Sequence, residues 1–252
     1  MAKGNGSPTI GRAEREIAHG RLLAQEDVER TWGWGTPAGK LRAQRRAELI
    51  ASGADLAEGK LALEIGCGSG LFTSMFAETG VTLVAVDISP DLLEMARARG
   101  LPGDRVTFAE KRFEECDLEG PFDAVIGSSV LHHLELAQAL QQIFDLLTPG
   151  GVVSFAEPNM LNPQVFLERR FRGTSWMSHI SPDETAFVRW KLAAQLRAAG
   201  FQEVSITPFD WLHPSTPSAC IGLVKIVGAL AERLPAAREF AGSLHIVGRR
   251  PA

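Results

Sequence analysis

The residues best suited to chemistry in this chain sit in two short runs. The first is Gly66-Cys67-Gly68-Ser69-Gly70, followed seventeen residues later by Asp87. The second is Ser128-Ser129-Val130-Leu131-His132-His133-Leu134. Glycines at alternating positions keep the backbone bare. A Cβ at Gly66, Gly68 or Gly70 would hold a ligand off, and without it main-chain N–H groups and a positive helix end can touch a polar cofactor. Asp87 offers two carboxylate oxygens at a separation suited to a sugar diol. Histidine titrates near neutrality, so His133 in the first instance, or His132, could accept a proton from a hydroxyl. Adjacent histidines are also common as purely structural hydrogen-bonding pairs.

Both runs need strands to carry them. Leu61-Ala62-Leu63-Glu64-Ile65 has four apolar positions around one acid and reads as a buried parallel strand that feeds the glycine turn and a helix over about 70–79. Thr82–Val86 is a second strand ending in Asp87. Ser89-Pro90 then gives an N-cap with proline at the first helical position, opening a helix that ends at Gly100. A short strand over 106–108, a strand over 122–127 ahead of Ser128, and a helix over 135–147 follow. The turn Thr148-Pro149-Gly150-Gly151 then leads to a strand over 152–156. Strands alternating with helices mean a parallel sheet covered on both faces.

A dinucleotide fingerprint is spaced G-x-G-x-x-G. Here the pattern is Glu64-x-Gly66-x-Gly68-x-Gly70 with Asp87 beyond, and it resembles the class I S-adenosylmethionine-dependent methyltransferases over residues 60–157. The resemblance implies that the Gly66–Gly70 turn, Cys67 included, contacts the methionine part of the cofactor. It implies that Glu64 anchors the loop and the amino group through water, and that Asp87 accepts both ribose hydroxyls. Ile88 and Leu92 would bracket the adenine, and Ser128 would hold the methionine amino group through its carbonyl. Many members carry an Asp against the adenine amine after the third strand. Arg112 stands there in this chain, which shifts adenine recognition to the backbone around Phe113. The Leu131–Leu134 segment is similar to the L-H-H-L of members acting on small molecules. The product would be S-adenosylhomocysteine, and no metal is expected.

Further elements follow from pattern. Residues 1–12 read as a disordered tail, and 13–59 as a helical N-terminal cap broken by Trp32-Gly33-Trp34-Gly35-Thr36-Pro37. Trp32 and Trp34 either pack this cap onto the core or cover the ligand. Arg42, Arg45 and Arg46 read as a solvated helix face, from which one arginine could instead meet a cofactor carboxylate. Residues 60–159 form the expected cofactor-binding core. Residues 160–252 complete the sheet and add acceptor-pocket insertions: an irregular stretch to Ser178, a helix opened by the capping box Ser181–Glu184, strands over 201–207 and 243–247, and the apolar helix 219–234 as a pocket wall. Acceptor contacts are expected from Trp34, Glu157, Asn159, Trp176, His179 and Trp211. His19 and His245 read as structural. The fold class is therefore α/β, a doubly wound Rossmann-like seven-stranded sheet with an antiparallel last strand, a helical N-terminal cap and a C-terminal insertion.

Composition sets the outer bounds. The 252 residues carry 26 Lys and Arg against 30 Asp and Glu, a net charge of −4, which gives no footprint for a nucleic-acid partner. Three dispersed cysteines fit a reducing, cytoplasmic setting, and no apolar run is long enough to span a bilayer. The expected activity is methyl transfer to a small, apolar or amphipathic, or lipid-like, acceptor, most naturally at oxygen. A homodimer or peripheral membrane contact through helix 219–234 stays open. So do an NAD-dependent oxidoreductase and a non-catalytic or non-methylating S-adenosylmethionine-binding protein.

Overall fold

A computed structural model of the protein describes residues 12–115, 117–170 and 186–252. The expected tail, Cys116, the capping box at 181–184, Trp176 and His179 lie outside the described residues or, for Arg12, at their edge. Seven strands form one sheet: β1 (Leu61–Ile65), β2 (Thr82–Asp87), β3 (Val106–Glu110), β4 (Phe122–Ser128), β5 (Leu147–Pro158), β6 (Gln202–Phe209) and β7 (Ser243–Arg249). Their order is β3-β2-β1-β4-β5-β7-β6. The first five are parallel, and β7 runs antiparallel to both β5 and β6. Strand order therefore reverses between β1 and β4, and a sheet of this kind opens a crevice at the carboxyl ends of those two strands. The glycine turn follows β1 and the histidine segment follows β4, so the topology brings both runs to that crevice.

Each strand buries alternate residues on opposite faces. Leu63, Ile65 and Val125 point into one core with Leu140, Ile143, Leu196 and Phe201. Ala62, Leu83, Ala124 and Ile126 face the other, against Ile50 and Phe76. Burying each large side chain contributes about 1.5–3 kcal/mol, which pins the register, since a one-residue slip would swap the faces. The first face is covered by α6 (Leu136–Leu146) and α8 (Arg189–Ala198), the second by α3 (Pro37–Gly53) and α4 (Leu71–Ala77). Helix α5 (Pro90–Ala98) is capped by Ser89, whose hydroxyl accepts from the Leu92 amide.

Several local expectations are revised. The N-terminal helix is two pieces, α1 (Arg12–Ala24) and α2 (Val28–Thr31), because Asp27 caps a new start by accepting from the Arg30 amide. The Thr148–Gly151 turn lies within β5, where the register against β4 jumps between Phe122 and Ala124. The stretch expected to be irregular contains α7 (Pro163–Arg170). Asn162 opens it by accepting from the Gln164 and Val165 amides, a signal legible in Asn162-Pro163. Beyond β6, α9 (Ile221–Arg233) and α10 (Pro235–Arg238) precede β7.

Candidate active site

The crevice is a cavity of about 350 Å³, within the range of small-molecule sites. Its floor is the glycine turn. Gly66, Gly68 and Gly70 have φ of 68°, 50° and 75°, the left-handed region that an L side chain strains to enter. Space is equally decisive: a Cβ at Gly66 would stand 2.5 Å from Val130 Cγ2, and one at Gly70 2.9 Å from Ala96 Cβ. Donor supply is less free than the sequence suggests. The Gly66 and Cys67 amides both donate to Val86 O, and the Gly68 amide donates to Asp87 Oδ2 at 2.7 Å. The turn is thus folded back on β2, with Gly66, Cys67, Gly68 and Ser69 lining the cavity while Gly70 turns away to start α4.

Asp87 closes the β2 side. Its second oxygen, Oδ1, accepts from the Ser89 amide at 2.9 Å. Burial pushes its carboxyl up, and the Ser89 and Gly68 amides oppose that shift. Ile88, Leu92, Arg112 and Phe113 line the same end, giving an apolar slot beside the acid. Behind the turn, Glu64 is fully buried and does not reach the cavity wall. Burial raises it to about 8, Thr73 opposes the rise, and Asp87 adds to it. Its Oε2 has no hydrogen-bond partner among the described residues. An unsatisfied buried carboxyl beside a bare glycine turn suits a cationic polar ligand.

The opposite wall is the segment after β4. Ser128, Ser129, Val130, His132, His133 and Leu134 line it. Ser129 takes φ of 57° and is held there by Arg46, whose Nη1 donates to Ser129 Oγ at 2.9 Å, Ser128 Oγ at 3.2 Å and Ala156 O at 3.1 Å. Arg46 Nη2 donates to Ser243 Oγ at 2.6 Å. Arg46 is only 3% exposed and lies over the rings of Trp34 and Phe209, so it is no solvated face residue. Burial, then the neighbouring Arg42, lowers its pKa to about 10, which leaves it cationic at neutral pH. Arg42 is likewise occupied, with Asp210 at 2.8 Å, while Arg45 pairs with Glu232 nearer the surface.

Helix α1 roofs the cavity through Glu16, His19, Gly20 and Leu23, and Trp32 and Trp34 complete the cover. A Cβ on Gly68 would lie 3.1 Å from Trp32 Cη2, so the indole sits directly over the turn. His19, read as structural, is part of this roof. Sequence reasoning had no signal for these α1 residues, because the helix is too sparsely apolar to reveal what it covers. Arg169 at the end of α7 also reaches the cavity.

The family profile described as "Methyltransferase domain" matches residues 63–153, which span the glycine turn, Asp87 and the histidine segment. The chain is 30% identical to the ubiquinone biosynthesis O-methyltransferase of Xanthomonas euvesicatoria pv. vesicatoria over 69% of this chain and 77% of that protein. The chain belongs to the class I S-adenosylmethionine-dependent methyltransferases. The protein of the same name from Alkalilimnicola ehrlichii is 27% identical, with 82% of this chain and 90% of that one covered. Among solved structures, the N-methyltransferase NodS from Bradyrhizobium japonicum, in complex with S-adenosylhomocysteine, shares the fold. Its TM-score is 0.59 and its identity 19%, over 86% of this chain and 90% of that one. The enzyme is therefore S-adenosylmethionine-dependent, and the oxidoreductase alternative falls away.

Within this methyltransferase the expected acceptor contacts divide. Trp34 lines the cavity. Trp211 does not: it packs against Gly228 of α9, whose would-be Cβ lies 2.8 Å from Trp211 Cβ. Asn159 is buried in a structural role, donating through Nδ2 to Glu239 O and Ala241 O. Glu157 is buried behind the wall, where its Oε2 meets His132 Nδ1 at 2.6 Å. Helix α9 is not a pocket wall either. Leu223, Ile226, Val227, Leu230 and Leu234 form an exposed stripe, Leu223 at 66% exposure, because only the Gly228 side packs inward. No described helix is long and apolar enough to cross a membrane.

Proposed function

We propose that the enzyme transfers the methyl group of S-adenosylmethionine to a hydroxyl oxygen of a small, apolar or amphipathic acceptor. The observation that carries this reading is the histidine pair on the wall of the cavity, facing the glycine turn across a largely apolar interior. The O-methyltransferase name of the curated relatives supports the oxygen target, and the Trp32, Trp34, Phe72 and Leu134 lining supports an apolar acceptor. S-adenosylmethionine supplies a methyl already activated on a sulfonium. The chain's own task is then to bind, align and exclude water, and to accept one proton.

In this reading Asp87 binds the ribose diol, and Ile88, Leu92 and Phe113 enclose the adenine, with Arg112 at the rim. Gly66, Cys67 and Gly68 pass under the methionine part, and the Ser128 carbonyl takes its amino group. Glu64 stabilises the cationic end from behind the turn, and Arg46 holds the Ser128–Ser129 wall in place. His132 or His133 takes the acceptor's proton.

The test is label transfer from methyl-labelled S-adenosylmethionine to paired acceptors of one skeleton, an alkyl-substituted catechol and the matching primary amine. Label on the catechol oxygen supports the reading. Label only on the amine, or turnover without methyl transfer, overturns it.

A further inference from the structure

Either histidine can take the proton, His133 being the one the sequence favours, and Glu157 has no role in that transfer so far. The geometry separates them. Glu157 ends β5 next to β7, paired in register with Leu244. Its Oε1 accepts from the Val130 and Leu131 amides, both at 2.8 Å, and its Oε2 meets His132 Nδ1 at 2.6 Å. Glu157 and His132 are both buried, the histidine at 4% exposure, yet His132 still lines the cavity. One carboxylate therefore fixes the turn that carries the histidines and one ring nitrogen of the first. His133 differs: its Nδ1 lies 3.2 Å from Glu16 on the roof helix, in a half-exposed position.

We propose that Glu157 is a positioning residue that fixes the tautomer of His132, with Nδ1–H donated to Glu157 and Nε2 as the basic nitrogen for the reaction. This rests on the O-methylation reading above. The acceptor's hydroxyl proton moves to His132 Nε2, and the oxygen lone pair forms the new C–O bond. The methyl–sulfur bond breaks with its electron pair left on sulfur, which becomes a neutral thioether. The imidazolium so formed is stabilised by the Glu157 carboxylate until it returns its proton to water. Burial alone would push the Glu157 carboxyl up. The charge and hydrogen bond of His132, with the Leu131 and Val130 amides, outweigh burial and hold it below the usual glutamate range, so it stays an anion.

Two measurements test this. The first is independent of turnover: nitrogen NMR of the neutral His132 ring, compared with Glu157→Gln and Glu157→Asp. The expected result is a protonated Nδ1 and a bare Nε2 in the wild type, with that preference lost in Glu157→Gln and retained in Glu157→Asp. A protonated Nε2 in the neutral wild-type ring overturns the proposal whatever the enzyme methylates. The second is the pH profile of kcat with the catechol acceptor. Glu157→Gln is expected to lower kcat by about a hundredfold or more, in the range of lost general-base catalysis, with S-adenosylhomocysteine affinity kept within about threefold. The acidic limb should move to lower pH as His132 loses its anionic partner, and Glu157→Asp should restore part of the rate. His132→Gln should cost more than His133→Gln. Near-wild-type kcat in His132→Gln overturns the proposal, as does a Glu157→Gln variant that loses cofactor affinity with an unmoved pH limb. Methylation of the amine alone, with the NMR result as expected, would instead defeat the oxygen reading and leave the tautomer assignment standing.

Discussion

Glu64 carries its proton at pH 7, because burial lifts it to about 8. In the unfolded chain the same group ionises near its ordinary value of 4.5. Between these values the unfolded state sheds a proton that the folded state keeps, so folding stability falls as pH rises from about 4.5 towards 8. Glu64→Gln removes that dependence, and its thermal midpoint is expected to exceed the wild type's at pH 8 by at least about 4 °C and to match it near pH 5. The same residue makes cofactor binding pH-linked. A cationic ligand end beside Glu64 favours the carboxylate, so binding at pH 7 should release protons, seen in calorimetry as a heat that depends on the buffer. Glu64→Gln should lose that release; an unchanged buffer dependence would put the cationic end elsewhere. Asp87 tests the other end of the ligand. Asp87→Ala removes the carboxylate that holds the Gly68 and Ser89 amides, together with the proposed charge-assisted diol contact of about 1.5–3 kcal/mol. Affinity for S-adenosylhomocysteine should fall at least about tenfold in calorimetry.

At the scale of elements, helix α1 and the two tryptophans cover the cavity. Helix α1 packs on α5 at Gly20, where a Cβ would meet Ser89 Oγ at 2.4 Å and Ser89 Cβ at 2.8 Å. Gly20→Val should therefore lift α1 from the cavity and weaken cofactor binding by about tenfold, or 1.4 kcal/mol. The global thermal midpoint should barely move, because α1 and α2 join only a small cluster of Leu23, Val28 and Leu92. Limited proteolysis within α1 should accelerate in step. The elements under this roof were legible from the sequence. Near-continuous apolar runs, the Ser89-Pro90 cap and the glycine turn are local signals, and β1 starts and ends where its apolar run does. What was not legible is set by partners far along the chain. Arg46 looks solvated on its helix and is buried only because Ser129 and Ser243, 83 and 197 residues away, receive it. Glu157 reads as a substrate contact until β5 places it under a histidine 25 residues earlier. The side chains of α9 gave the right helix but not its face, since its inward contact is a glycine on Trp211 and its apolar stripe faces outward.

The described residues build one seven-stranded sheet whose strand order reverses at the crevice, and the boundary expected at residue 159 falls directly after β5, with β6 and β7 beyond it in the same sheet. A loss of stability in acid is expected at a point remote from the site. His245 on β7 sits beneath the end of α3, 3.2 Å from Ser154 Oγ, and burial lowers it to about 4. The contribution of the neutral ring is fully present above about pH 6.5 and is lost as pH falls through 4, because the unfolded chain takes up the proton first. The thermal midpoint should fall across that window, and His245→Gln should flatten the fall; an equal slope in the variant would assign it to other groups. The most direct test of the account is a crystal structure of the protein with S-adenosylhomocysteine. It should show the ribose hydroxyls on the Asp87 carboxylate, the adenine among Ile88, Leu92 and Phe113, and the sulfur turned towards His132. A ligand bound outside this cavity, or one whose ribose leaves Asp87 untouched, would contradict it.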